Sequence, residues 1–257
     1  MLSWSARRKI IYILVLVLIF GTPTSFYIYK KMQKPASCFD GLQNQDERGV
    51  DCGGICQIAC LNNIKQEPDI QWSRAYYVAP GVYNLVAYIQ NPNVDYISQP
   101  AKYVFKIYDD KNVLIATREG VIGIPTTKVF PIFEPTIETG NLIPKIIKFE
   151  FVEPITWIEY FGNKPELETV DQKLSRTDTF PKLEAKIKNK TLNTYKNVEV
   201  IAIIYNEEGN GVLSSRTFID KIGDKGEANI SFTWLEPIDF KPSKIEVIPN
   251  ISLKEYK

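Results

Sequence analysis

Leu183-Glu-Ala-Lys-Ile-Lys-Asn189 decides the reading of this chain, because its apolar residues alternate strictly with charged ones. Leu183, Ala185 and Ile187 fall on one side and Glu184, Lys186 and Lys188 on the other. Side chains along a strand point to opposite faces in turn, so the pattern is that of a strand with one buried and one wet face. Nearly the same stretch stands earlier as Leu85-Val-Ala-Tyr-Ile-Gln-Asn91. Further segments recur in the same order. Val104-Phe-Lys-Ile-Tyr-Asp109 returns as Ile201-Ala-Ile-Ile-Tyr-Asn206, and Val113-Leu114 as Val212-Leu213. Pro144-Lys-Ile-Ile-Lys-Phe-Glu-Phe151 returns as Pro242-Ser-Lys-Ile-Glu-Val-Ile248, and the offset stays at 97 to 99 residues. Turn-forming runs at Asn91-Pro-Asn, Asp109-Asp-Lys-Asn and Asn206-Glu-Glu-Gly-Asn-Gly separate the strands. Val198 to Tyr205 is apolar on both faces apart from Glu199, which predicts a central strand.

This pattern predicts two similar all-β sandwiches, at 72–155 and 165–250, each the size of an immunoglobulin-like domain. Strand, Asn turn, long strand ending in Ile-Tyr-Asp, polar turn and Val-Leu-Ile resemble the FxLYD-type and bacterial cell-adhesion-related β-sandwich families; Val104 to Ile115 carries the closest match. The resemblance implies extracytoplasmic binding or spacer modules, since fold alone does not assign a ligand. Trp157 and Tyr160, between the two repeats, read as braces joining the domains. Tyr76, Tyr83, Tyr88 and Tyr103, in a tyrosine-rich first repeat, are the candidate binding face for sugar rings or a protein partner, with cross-strand packing as the competing role.

Ahead of the repeats, Ile10 to Phe20 is unbroken apolar sequence, too short alone to cross a ~30 Å hydrocarbon core. Extending it to Tyr29 takes in Pro23, whose missing N–H leaves a helix carbonyl that Thr22, Thr24 and Ser25 can help satisfy. This predicts a transmembrane anchor over 10–29, with 1–9 cytoplasmic and the bulk outside. A cleaved signal peptide competes, although Pro23/Ser25 and Thr22/Thr24 make poor cleavage pairs. Basic residues flank both ends, so sidedness rests on the short amino-terminal flank and on the cysteines that follow.

All four cysteines, Cys38, Cys52, Cys56 and Cys60, lie within 38–60, with almost nothing apolar between them to bury. Covalent or metal bonds must hold such a run. Two disulfides, a four-thiolate zinc site and a redox pair are the readings. The x13, x3, x3 spacing lacks the C-x₂-C knuckles of zinc sites and the C-x-x-C of redox motifs. Asp40, Asn44, Asp46, Glu47 and Asp51 form a candidate calcium set, against a plain solvated acidic turn. The segment resembles a short cysteine-rich motif of surface proteins, C-x-D-G-x-x-N-x-x-E-x-x-x-D-C-G-G-x-C-x-x-C. Cys38, Asp40, Gly41, Asn44, Glu47, Asp51, Cys52, Gly53, Gly54 and Cys56 match it, and the last spacing is one residue longer. The resemblance implies an extracellular disulfide module.

A net charge of +1 provides no bulk field for nucleic acid, and the absence of histidine removes Ser-His-Asp and Cys-His catalysis. The expectation is therefore a single-pass, membrane-anchored, extracytoplasmic binding or structural protein in adhesion or envelope assembly. It would have a protein or glycan partner, no nucleic acid, no catalysis, and no cofactor beyond the calcium candidate. The alternative is a carboxylate-dependent cell-wall or glycan-processing enzyme. Asp109 with Asp110 and Glu207 with Glu208 are adjacent turn residues and read as solvated turns rather than acid/base pairs. Asn189, Asn229 and Asn250 head N-glycosylation sequons. Four cysteines allow three pairings, and Cys38–Cys56 with Cys52–Cys60 is the one expected. Non-reducing mass mapping should return two intramolecular disulfides; four free thiols with stoichiometric zinc would reverse the assignment.

Overall fold

The structure is a computed structural model that describes residues 4–32, 38–43, 46–47, 49–56, 60 and 66–255. Two compact units are present, Met1–Cys56 and Gln57–Lys257. In the first, α1 (Trp4–Met32) runs through Pro23 without a break. Thr22 donates to Leu18 O at 2.6 Å and Thr24 to Phe20 O at 2.7 Å, placing hydroxyls on both sides of the carbonyl that Pro23 cannot serve. Arg8–Tyr27, with mean hydropathy 2.0, is long and apolar enough to cross a membrane.

The cysteine module is a pair of tight turns closed by sulfur. Cys38 is bonded to Cys56 with 5.4 Å between their Cα atoms. Cys52 and Cys60 are disulfide-bonded as well, so no thiol is free and the pairing is the expected one. Gly49 bridges Cys52, and Gly53 bridges Cys56. Gly54 sits at φ +62°, and a Cβ there would come within 1.7 Å of Asp46 O, so only glycine permits the crossing.

The second unit is all β. Its first half contains β1 (Asp69–Ala79), β2 (Val82–Gln90), β3 (Tyr96–Ser98), β4 (Ala101–Tyr108), β5 (Leu114–Ile122), β6 (Val129–Glu138), β7 (Ile146–Phe151) and β8 (Trp157–Glu159). Its second half contains β9 (Leu167–Ser175), β10 (Lys182–Asn189), β11 (Tyr195–Tyr205), β12 (Gly211–Ile222), β13 (Glu227–Thr233) and β14 (Lys244–Asn250). All pairings are antiparallel. The first half forms sheets β1-β2-β6 and β5-β4-β7, and the second half β9-β10-β13 and β12-β11-β14, in the same order of connection.

Each half is sandwich-like. Leu85, Ala87 and Ile89 of β2 meet Phe105 and Ile107 of β4 in one core. Leu183, Ala185 and Ile187 of β10 meet Val198, Val200 and Ala202 of β11 in another. A third core lies between the halves. Val86 of β2, Tyr76 of β1 and Phe133 of β6 pack against Ile201, Ile203 and Tyr205 of β11. The two middle sheets are thus buried on both faces, which is why β2 and β11 lack the alternation of β10. Trp157 does not brace the halves. It is buried in the first core, on β8, which pairs with β3, and Tyr160 N–H donates to Asp95 O at 2.9 Å in that same half.

Buried asparagines close both halves in the same way. Asn91 Nδ2 donates to Pro125 O at 2.7 Å and its Oδ1 accepts from Asn93 N–H at 2.7 Å. Asn189 Nδ2 donates to Gly223 O at 2.7 Å and its Oδ1 accepts from Thr191 N–H at 2.9 Å. The Asn189 sequon is therefore occupied by structure, and Asn250 Nδ2 likewise donates to Pro131 O at 2.8 Å.

Register is testable at β10. Ile187 is fully buried, so Ile187→Asp strands a charge in the second core and should cost on the order of 4 kcal/mol in urea unfolding. Lys186 lies 3.1 Å from Asp171 and 3.4 Å from Glu227 on the wet face. Lys186→Gln is the control and should stay within the range of ordinary surface changes. A larger loss at Lys186 than at Ile187 would invert the register.

Candidate binding cleft

The tyrosines singled out from the sequence do not share an exposed face. Tyr76 is 3% exposed in the core between the halves, and Tyr103 is buried in the first core. Tyr88 stacks on Trp72 at 5.1 Å beside the middle core. Tyr83 is half-buried and meets Tyr77 edge-on at 5.9 Å. Packing claimed these rings because the sheet that carries Tyr76, Tyr83 and Tyr88 is covered on both sides.

The hydroxyls of Tyr88 and Tyr103, with that of Tyr205, instead meet carboxylates. Tyr103 donates to Glu134 Oε1 at 2.5 Å, and Arg118 Nε donates to Glu134 Oε2 at 2.7 Å. Gly120 opposite Tyr103 makes room, since a Cβ there would lie 2.3 Å from the phenol oxygen. Across the seam, Arg216 donates to Glu199 at 2.9 Å and lies between the Phe133 and Phe218 rings, each 5.0 Å away. Tyr205 donates to Glu246 Oε2 at 2.7 Å and Tyr88 to its Oε1 at 3.4 Å. Glu134, Glu199 and Glu246 are thus each held by donors, in place of a poised acid/base pair.

The cysteine module places its acids in turns. Asp51 accepts from the N–H groups of Asp40 and Gly41 at 2.9 and 2.8 Å, and Asp40 accepts from Leu42 N–H at 2.9 Å. Glu47 is buried, Asp46 is exposed, and Asn44 lies outside the described residues. Among the described residues no three acidic or thiol groups converge on a cation-sized point. Asp109 accepts from Lys111 and Val113 N–H, and Glu207 pairs with Lys241, as turn residues do.

What sequence reasoning missed is a cleft of about 700 Å³ at one rim of the seam. Its floor is Val212–Ser215, four successive residues of β12. Tyr77 and Val78 of β1 supply one wall, and the loop after β13, with Trp234, Leu235 and Phe240, supplies the other. Glu236 and Asp239 are its charged groups, and no basic residue lines it. Ser214 is 5% exposed, and its Oγ, like the Trp234 Nε1, has no partner in the structure. A buried polar atom left unpaired costs about 1–3 kcal/mol, and these two belong to residues that line the cleft. The only sequence signal was the apolar run after Gly211, which read as another repeat strand.

No protein family matches the chain, and no curated sequence is significantly similar to it.

The phenol–carboxylate pairs have a pH signature. Burial first, and then the charge and hydrogen bond of Glu246, push the Tyr88 phenol from 10.0 up to about 12. Burial and the same carboxylate raise Tyr205 further still, and burial with Glu134 raises Tyr103. The folded chain therefore holds these protons more tightly than the unfolded one. Their contribution is fully present below about pH 10 and is lost as pH rises through about 12 and above. Urea midpoints should be level from neutral pH to about 9.5 and then fall, with Tyr205→Phe reducing the slope. A midpoint that stays level to pH 12 would remove the phenols from the account.

Proposed function

We propose that the chain is a single-pass, membrane-anchored protein whose bulk lies outside the cytoplasm, where it binds a partner or serves as a structural element. The observation that carries this reading is the order of parts: an apolar helix long enough to span a bilayer, followed at once by a module in which every cysteine is oxidised. Disulfides persist on the oxidising side of a membrane, which supports placing the bulk outside. Lys30 and Lys31, at the helix end, then sit at the outer interface.

The β unit is read as two tandem immunoglobulin-like sandwiches. Support comes from the common order of strand pairing and from Asn91 and Asn189, which tie equivalent turns through equivalent carbonyls. The resemblance to DCGGxC-type modules and FxLYD-like domains agrees with a display or adhesion role. Held carboxylates at Glu134, Glu199 and Glu246 support binding rather than catalysis, and the open feature is a cleft with aromatic walls.

Protease treatment of intact cells, or of spheroplasts where an outer layer intervenes, tests the reading. Residues 66–255 should become accessible from outside while a stub containing 10–29 stays with the membrane fraction. A bulk that stays protected until lysis, or a mature chain that begins after Ser25, overturns the topology.

A further inference from the structure

We infer that the cysteine module is itself a membrane-contact element, resting its apolar side chains in the interface of the bilayer that α1 crosses. The module is built inside out. Each oxygen of Asp51 accepts a backbone amide, Asp40 accepts from Leu42 N–H, and Glu47 is buried. Its apolar residues point the other way. Among the described residues of 38–60, every Phe, Leu, Val and Ile side chain is exposed: Phe39 at 86%, Leu42 at 64%, Val50 at 57% and Ile55 at 63%. One exposed apolar side chain on a protein surface is ordinary. Four on so small a module, with its carboxylates turned to the backbone, suit contact with a second apolar phase.

Cross-links keep these side chains near one another. The Cys38–Cys56 bond, with 5.4 Å between Cα atoms, holds the neighbouring Phe39 and Ile55 within about 13 Å. Asp51, bonded to the Asp40 and Gly41 amides, fastens the turn that carries Val50 to the one that carries Leu42. The occupant follows from the chain. α1 ends at Met32, and Cys38 stands six residues on, a reach of at most about 22 Å. A bilayer interface about 5–8 Å deep is therefore always within range of the module. Tethering turns the encounter into an intramolecular one, so shallow insertion of a few side chains is enough. Among the described residues the module's exposed charges, Asp40 and Asp46, are acidic, so attraction to anionic lipid does not drive the contact. This contact rests on α1 crossing the bilayer, as proposed above.

The test is photo-crosslinking of the full chain in phosphatidylcholine vesicles. Benzoylphenylalanine, a photoreactive phenylalanine analogue, replaces Val15, Phe39, Ile55 or Ile143, one at a time, and adducts are weighed by mass spectrometry after irradiation. All four positions are exposed, so the analogue displaces no packed neighbour. Val15 reports on α1, and Ile143, 60% exposed in the loop after β6, is an apolar control matched to Ile55. Phospholipid adducts should form at 15, 39 and 55 at about tenfold or more the yield at 143. Adducts at 15 without any at 39 and 55 overturn the contact and leave the anchor standing. Absence at 15 as well removes anchor and contact together. Yields at 143 equal to those at 39 and 55 reduce the signal to plain exposure and overturn the contact. Crosslinks from 39 and 55 to the β unit or to a second copy, in place of lipid, assign these side chains to protein and also overturn it.

Discussion

Contact between Val86, Phe133 and Tyr76 on one side and Ile201, Ile203 and Tyr205 on the other sets the architecture of the β unit. Each side chain fully removed from water contributes about 1.5–3 kcal/mol, while an exposed ion pair adds a fraction of that. The seam is therefore apolar in origin, and its polar contacts follow from it. Arg74 reaches Asn210 and Gly211 O, Arg216 reaches Phe133 O, and Asn250 reaches Pro131 O, all of them across the seam. These bonds fix orientation, because a face of β-branched and aromatic side chains alone would tolerate sliding. Stacking the middle sheets in this way also decides where the molecule is open. The outer sheets keep one wet face, as at Lys186 of β10, while the middle ones are covered on both faces.

Much of the strand register was legible. Period-two alternation in β10 placed Leu183, Ala185 and Ile187 inward, and the structure buries all three. The double-sided apolar run of β11 was read as central, and it is central twice over, within its sheet and between sheets. Which surface would cover its second face was not legible. That depends on Val86, Phe133 and Tyr76, residues some seventy to a hundred and thirty positions away, and local pattern holds no information at that range. The same gap left the tyrosines open between a binding face and cross-strand packing. On a strand exposed on one side, Tyr76 and Tyr88 would face solvent, and nothing nearby in sequence distinguishes that strand from one covered on both sides.

The cysteine module was legible for the opposite reason. Its constraints are local: Gly53 and Gly54 take positive φ, Asp51 serves backbone N–H groups ten and eleven residues back, and sulfur closes the loops. Chemistry at short range is written in residue type and spacing. The acids that suggested calcium illustrate the limit, since a carboxylate that caps a turn and one that binds a cation look alike in sequence. In the structure each oxygen of Asp51 accepts a turn amide.

The cleft was not legible because it forms where Tyr77 and Val78, Val212–Ser215 and the loop after β13 meet, segments far apart in sequence. Open edge strands are a hazard, because like chains can pair through them. Most edges here carry the usual protection: Pro131 and Pro135 on β6, Lys148 and Glu150 on β7, Asp171 and Lys173 on β9, and Lys244 and Pro249 on β14. The start of β12 carries a bulge instead: Tyr205 pairs with Gly211 and Ile204 with Leu213, which leaves Val212 as an extra residue. A bulge bends its strand and strengthens the twist, so the flat edge of a second copy meets no continuous ladder there.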